Sequence, residues 1–132
     1  FINAGVPAEN LVLGAAIYGK AFYKTKPGPN GDGLFQKFNK DKKPVWRSSN
    51  IPYSKLEEYY INKNGFKRYW DDKAKAPYLY DGETFISYDD PESIKYKAQY
   101  VKEEDLAGIM YWEYTHDLDG DLLGSMYNVL KE

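Results

Sequence analysis

The sequence predicts an α/β fold interrupted by a smaller α+β module, and three observations predict it. Two apolar runs, Leu11–Gly19 and Leu106–Tyr114, read as strands buried on both faces of a parallel sheet. The segments at 90–101 and 121–130 space their apolar residues as amphipathic helices do. Between the first strand and its helix lie some 60 residues of turns and aromatic-rich strands, the size of a small domain. Helix end, strand, insertion, helix, strand, helix is β/α grammar with a module pushed into it. A closed eight-fold β/α barrel needs roughly 250 residues, so two such strands and two such helices supply about a quarter of one.

Taken in order, Phe1–Ala4 reads as the last turn of a helix whose body lies before the first residue, stopped by Gly5 and Pro7. The run from Leu11 to Gly19 follows as the first strand. Pro27–Gly33 is a turn-rich loop and the charged stretch 37–43 is expected to be exposed. Ser54 and Glu57 have the spacing of a capping box for a helix whose apolar face is Leu56, Tyr59 and Tyr60. Phe66–Trp70, Pro77–Tyr80 and Phe85–Tyr88 read as strands, the last two joined by the Asp81-Gly82 turn. Asp90 caps a helix beginning at Pro91, where no needed N–H is lost, and Ile94, Ala98 and Val101 form its apolar face. A strand near 106–114 and a helix from Asp121 to Leu130 complete the chain. The expected divisions are 1–22, 23–88 and 89–132.

Composition narrows the function. Eighteen Lys and Arg against 20 Asp and Glu give a net charge of −2, which excludes a protein whose main task is coating nucleic acid or anionic membrane. No apolar run is long enough for a transmembrane helix, and there is no basic-then-apolar leader. Zero cysteines exclude a disulfide framework, a thiolate metal site and a cysteine nucleophile. With His116 as the sole histidine, a histidine-rich metal centre is excluded too, and no cofactor is implied. Asp117–Asp121 alternates acids like the start of a calcium loop, but Leu122 and Asn128 stand where that loop needs Gly and a bidentate Glu. Fourteen Tyr, six Phe and three Trp fit a tyrosine-rich core and sheet surface, or a groove in which aromatic faces pack against the C–H faces of sugar rings.

The motifs together carry a resemblance. Leu11–Phe22 resembles the seventh barrel strand of glycoside hydrolase family 18 chitinases, and Phe85–Lys97 resembles the end of the chitinase insertion domain followed by the seventh helix. Gly108–Glu113 is similar to the eighth strand, Asp119–Leu123 to the turn into the final helix, and Gly65–Asp72 with Pro77–Tyr80 to the insertion domain of bacterial members. The order is right, and only about residues 24–50 carry none of it. The resemblance implies the C-terminal part of a (β/α)8 TIM barrel carrying an inserted α+β chitinase insertion domain. It also implies a secreted parent that hydrolyses β-1,4 bonds between N-acetylglucosamine units with retention, using the substrate's own N-acetyl oxygen as nucleophile. The family's acid-bearing signature, D-x-x-D-x-D-x-E, does not occur in this sequence.

Five residues are candidates for substrate contact. Trp112, near the C-terminal end of a strand, is by itself as consistent with a core indole as with a ligand platform; the resemblance implies the floor under the sugar. Arg68 matches a family arginine reaching over the groove, the alternative being a solvated cation stacked on a ring. Asp89 either binds sugar hydroxyls or pairs with Arg68. Phe66 stands where related enzymes carry Tyr, and Tyr18 either lines the groove or closes the barrel interior. Glu113 adjoins Trp112 but alternates to the opposite face, so no catalytic residue is assigned. The partner implied is chitin or a chito-oligosaccharide, with the isolated chain inactive and its free binding weak. Self-association through uncovered strands is a further expectation. The competing class is a non-catalytic chitinase-like lectin.

Overall fold

The computed structural model describes residues 1–39 and 50–131, so the part of the charged stretch beyond Asn39 lies outside the described residues. Phe1–Ala4 closes as one 3-10 turn on Gly5, whose φ of 89° is the left-handed value glycine accepts and whose N–H donates to the Ile2 carbonyl. A second 3-10 turn spans Ala8–Asn10. Among the described residues, seven strands and three α-helices follow in the order β1 (Val12–Ala16), β2 (Tyr18–Phe22), β3 (Asn50–Pro52), α1 (Tyr53–Tyr59), β4 (Lys67–Asp71), β5 (Ala76–Tyr80), β6 (Phe85–Ser87), α2 (Pro91–Glu103), β7 (Gly108–Trp112) and α3 (Asp121–Leu130).

They form two sheets. β1 and β7 pair in parallel, from Val12 opposite Gly108 to Ala16 opposite Trp112. The other sheet is antiparallel with strand order β3-β2-β6-β5-β4. The apolar run at 11–19 is therefore not one strand. It bends at Ile17 and passes from the parallel pair into the antiparallel sheet. Ile17 fastens the seam: its N–H donates to the Trp112 carbonyl at 2.9 Å, and its carbonyl accepts from the Tyr53 N–H at 3.2 Å. Its side chain is fully buried.

One core runs beneath both sheets, through Ala15, Ile17, Leu56, Leu79, Ile86, Ile94 and Leu122. Gly19 is required where β2 crosses it, because a Cβ there would lie 2.8 Å from Ile86 Cγ2 and 3.0 Å from Leu56 Cδ1. The parallel pair is not buried on both faces as the apolar sequence suggests. Ala15, Ile109 and Tyr111 join the core built by α2 and α3, while Val12 and Met110 on the other face are more than half exposed. The strand alternates and the helices cover one side.

The helix starts differ from each other. Asp90 caps α2 as expected: its Oδ1 accepts from the N–H groups of Glu92 and Ser93, and Ser93 Oγ accepts from the Asp90 N–H. At α1 the expected box of Ser54 and Glu57 does not form, since the helix already begins at Tyr53 with Pro52 in the cap position. Its buried residues are Tyr53 and Leu56, and Tyr59 is exposed.

Candidate functional site

Trp112 ends β7 with 64% of its surface exposed, joined to Glu113 by a cis peptide bond. The chain then turns so that Glu113 Oε1 accepts from the Thr115 hydroxyl and lies 3.3 Å from His116 Nε2. The His116 ring meets Tyr18 edge-on, with centroids 6.3 Å apart. Trp112, Glu113, His116 and Tyr18 are thus gathered at the C-terminal end of the parallel pair, the end where α/β folds place ligand-contacting groups. The sequence alone assigns His116 no part in a site; its i, i+3 spacing from Glu113 is the signal that points to this contact. Tyr18 opens β2 and lines a cleft of about 620 Å³ together with Lys20, Ser87, Asp89 and Lys97.

Arg68 and Asp89 do not pair. Arg68 Nε donates to Asp90 Oδ2 at 2.8 Å and its Nη2 to Glu92 Oε2 at 2.7 Å, while the guanidinium lies 5.3 Å from the centre of the Trp70 ring. β4 is thereby tied to the start of α2, and Asp90 serves as both helix cap and ion-pair partner. Asp89 is buried and accepts from Ser93 Oγ at 2.8 Å and from Lys97 Nζ. The two adjacent carboxylates alternate sides, so a one-residue step decides which meets the arginine. Phe66 is a core residue, buried and edge-on to Tyr60 at 5.2 Å, and does not face a groove.

Burial and neighbouring charge also shift groups close to this region. Burial pushes the Glu57 carboxyl up, the Tyr53 hydroxyl opposes this by donating to it, and Asp121, Asp119 and Asp117 add to the rise. Burial also raises the Tyr53 and Tyr88 phenols, so both stay neutral. Asp117 is itself committed: its Oδ2 accepts from the Leu123 N–H at 2.9 Å, supplying α3 with the side-chain cap that Gly120 cannot. Among the described residues, no cluster of three or more ligating side chains is placed to hold a metal ion.

The sequence matches the family model of glycosyl hydrolases family 18 over residues 1–117. The chain belongs to that family. It is 42% identical to Chitinase A1 of Niallia circulans across 98% of its own length, and it spans 18% of that protein. Its backbone superposes on chitinase ChiW of Paenibacillus sp. str. FPU-7 with a TM-score of 0.89 at 46% identity, covering 99% of this chain and 15% of the other. A more distant match, at 27% identity and a TM-score of 0.83, is a class V chitinase mutant of Nicotiana tobaccum in complex with NAG4; it covers 99% of this chain and 37% of that one. The family 18 chain thus spans less than two fifths of each of these relatives. No helix among the described residues is long and apolar enough to cross a membrane.

Proposed function

We propose that this chain is the C-terminal part of the catalytic domain of a secreted chitinase, supplying part of the floor and one wall of the substrate groove. In this reading β1, α2, β7 and α3 are the seventh strand, seventh helix, eighth strand and eighth helix of a (β/α)8 barrel. The antiparallel sheet with α1 is the chitinase insertion domain. Because β2 hydrogen-bonds to that sheet, the seam falls at Ile17 and the module takes in Tyr18–Phe22. The observation that carries the reading is Trp112, a large indole left mostly in solvent at the C-terminal end of a parallel strand.

Each residue then has a task. Trp112 stacks under the sugar whose bond breaks, and Tyr18 flanks it across His116. Arg68 braces the wall against α2 through Asp90 and Glu92, and Asp89 presents a carboxylate at the cleft, held by Lys97 and Ser93. Glycoside cleavage also needs a carboxylic acid to protonate the departing oxygen. This sequence has no D-x-x-D-x-D-x-E string, and Glu113 is engaged by Thr115 and His116. The chain alone is therefore inactive on chito-oligosaccharides; cleavage that Glu113→Gln abolishes would overturn this. The groove assignment is tested by grafting the chain into Chitinase A1 in place of its matching segment. The graft hydrolyses chitin, and Trp112→Ala lowers its kcat/KM by roughly a hundredfold, as loss of a positioning surface does. An unchanged kcat/KM in that variant refutes the floor.

A further inference from the structure

The glycine-rich loop after β2 carries a chemistry that the groove does not use. An asparagine followed by glycine is open to attack by its own backbone, because no Cβ crowds the glycine nitrogen as it approaches the side-chain carbonyl carbon. The sequence holds this pair twice, at Asn30-Gly31 and at Asn64-Gly65. Both pairs are exposed, and at neither glycine would a Cβ meet a neighbour within 4 Å. Exposure and space therefore do not separate them. Hydrogen bonds do.

Asn64 is pinned. Its Nδ2 donates to the Tyr59 carbonyl at 2.8 Å, and the Phe66 N–H closes the turn around it on the Lys63 carbonyl at 2.9 Å. Asn62 Oδ1 accepts from the Arg68 N–H at 2.9 Å and Phe66 is buried, so this turn is fastened to β4 and to the core. Asn30 sits differently. Among the described residues its side chain has no hydrogen-bond partner. The bond across its turn, from the Gly31 N–H to the Gly28 carbonyl, is long at 3.3 Å, and the attacking nitrogen must leave it in any case. The base of the loop is what holds. There the Gly33 N–H donates to the Pro27 carbonyl at 3.0 Å, and Asp32 accepts from the Leu34 N–H at 3.0 Å and from the Tyr78 hydroxyl at 3.1 Å.

We infer that Asn30 is a site of spontaneous deamidation and that the fold protects Asn64 from the same reaction. The Gly31 nitrogen attacks Asn30 Cγ and forms the new C–N bond of a cyclic succinimide. The side-chain nitrogen leaves as ammonia, taking up the proton that the Gly31 nitrogen loses. Water then opens the ring at either carbonyl, giving aspartate or isoaspartate. Water is consumed, ammonia is released and no atom changes oxidation state. The product carries a further negative charge near Asp32, and the isoaspartyl form routes the backbone through the side-chain carbon. Because the bonds from Gly33 and Tyr78 lie at the base of the loop, the change stays at its tip. Asn64 reacts only by releasing the Tyr59 carbonyl and reshaping the turn that leads into β4.

The test incubates the 132-residue chain at mildly alkaline pH, folded and in urea, and follows each asparagine by tandem mass spectrometry. Deamidation adds about 1 Da at the residue that reacts. The Asp-Gly steps at 32, 81 and 119 lose water and regain it, so they leave the mass unchanged. In the folded chain the gain accumulates at Asn30 roughly tenfold faster than at Asn64, the factor that one hydrogen bond and a closed turn supply. In urea the two sites react at similar rates. Asn30→Ser keeps the parental Tm and loses the fast gain. Equal rates at the two sites in the folded chain overturn the inference, as does a faster Asn64. A folded chain that gains no mass at Asn30 while the unfolded chain does overturns it too, because the loop would then shield its own tip.

Discussion

β1 and β2 are separated by one residue, yet they enter sheets with opposite needs. In the antiparallel sheet β4, β5 and β6 pair across short turns and β2 joins them with Lys20 opposite Ser87; Leu79 and Ile86 are fully buried beneath it, and loop 23–39 lies over part of its other face. The parallel pair joins residues almost a hundred positions apart and buries one face, leaving Val12, Met110 and Trp112 on the other. Parallel strands need helices or further strands on both sides, because their crossovers cannot close locally. Apolar strands in the two settings look alike in sequence but differ in how much of their surroundings this chain contains.

The sharpest way to break this comparison is through the shared core. Leu56 is fully buried between Gly19 and Ile86, on the antiparallel side. Leu56→Ala should cost about 2–5 kcal/mol in urea denaturation, as leucine truncations in packed cores do. Because the core is continuous with Ala15 and Ile94, the far-UV signal and the Tyr fluorescence should move together in one transition. Two separated transitions, with the variant shifting one of them, would mean that the sheets are independent units.

Arg68 tests how the module is fixed to α2. Arg68→Ala leaves the Asp90 carboxylate, which is largely buried, without its cation; Glu92 is half in solvent and contributes little. The expected loss is about 1–2 kcal/mol, below the figure for a fully buried pair because the Arg68 side chain is a quarter exposed. Arg68→Lys should recover only part of it, since a single ammonium cannot reproduce the fork to Asp90 and Glu92. A destabilisation of the lysine variant equal to that of alanine would show that shape, not charge, holds this corner.

Much of this arrangement was legible in the sequence where a local signal carried it. The strands at 67–71, 76–80 and 85–87 are bounded by turns, and Asp90-Pro91 announces a helix start through well-known chemistry. The readings failed where two local signals coincide or where a distant partner decides. No glycine or proline marks the bend at Ile17, because the change of sheet is made by backbone bonds to Trp112 and Tyr53. Ser54-x-x-Glu57 satisfies the capping pattern, yet Pro52 starts the helix earlier, and Glu57 reaches Tyr53 instead. Arg68 could not be matched to Asp90 rather than Asp89 from adjacency alone, although Ser93 and Lys97 lie on the helical face that claims Asp89. Phe66 and Trp112 are both aromatics at strand boundaries, and only the fold separates a core ring from an exposed one.

A smaller effect lies under the junction of the two regions. Burial and the aspartates at 117, 119 and 121 raise the Glu57 carboxyl above its ordinary value of 4.5. A raised acid pKa means that the folded chain holds this proton more tightly than the unfolded one. Its stabilising contribution is complete below 4.5 and is lost as the pH climbs through the raised value. Glu57→Gln removes the charge and keeps an acceptor for Tyr53, so the Tm at neutral pH should rise by no more than a few degrees and its fall with pH should flatten. At acid pH the variant and parent should coincide. A lower Tm at neutral pH would show that the ionised carboxylate is being used, and that the hydrogen bond from Tyr53 outweighs burial and repulsion.

The smallest expected effect sharpens the comparison most. Met110 lies on the uncovered face of the parallel pair, 53% exposed, with its methyl end reaching only as far as Gly14. Met110→Lys should change the stability of this chain by within about 0.5 kcal/mol, the range for substitutions that disturb no packed contact. The same lysine in the graft into Chitinase A1 should abolish folding or activity, because there the face would point into a filled barrel interior where an unpaired ammonium is costly. Light scattering separates the remaining possibility. If copies of the wild-type chain cover this face for one another, Met110→Lys will lower the apparent mass and destabilise by well over 0.5 kcal/mol. A neutral effect in both settings would mean that the face is solvated in the complete enzyme too, and the barrel placement of β1 and β7 would have to be abandoned.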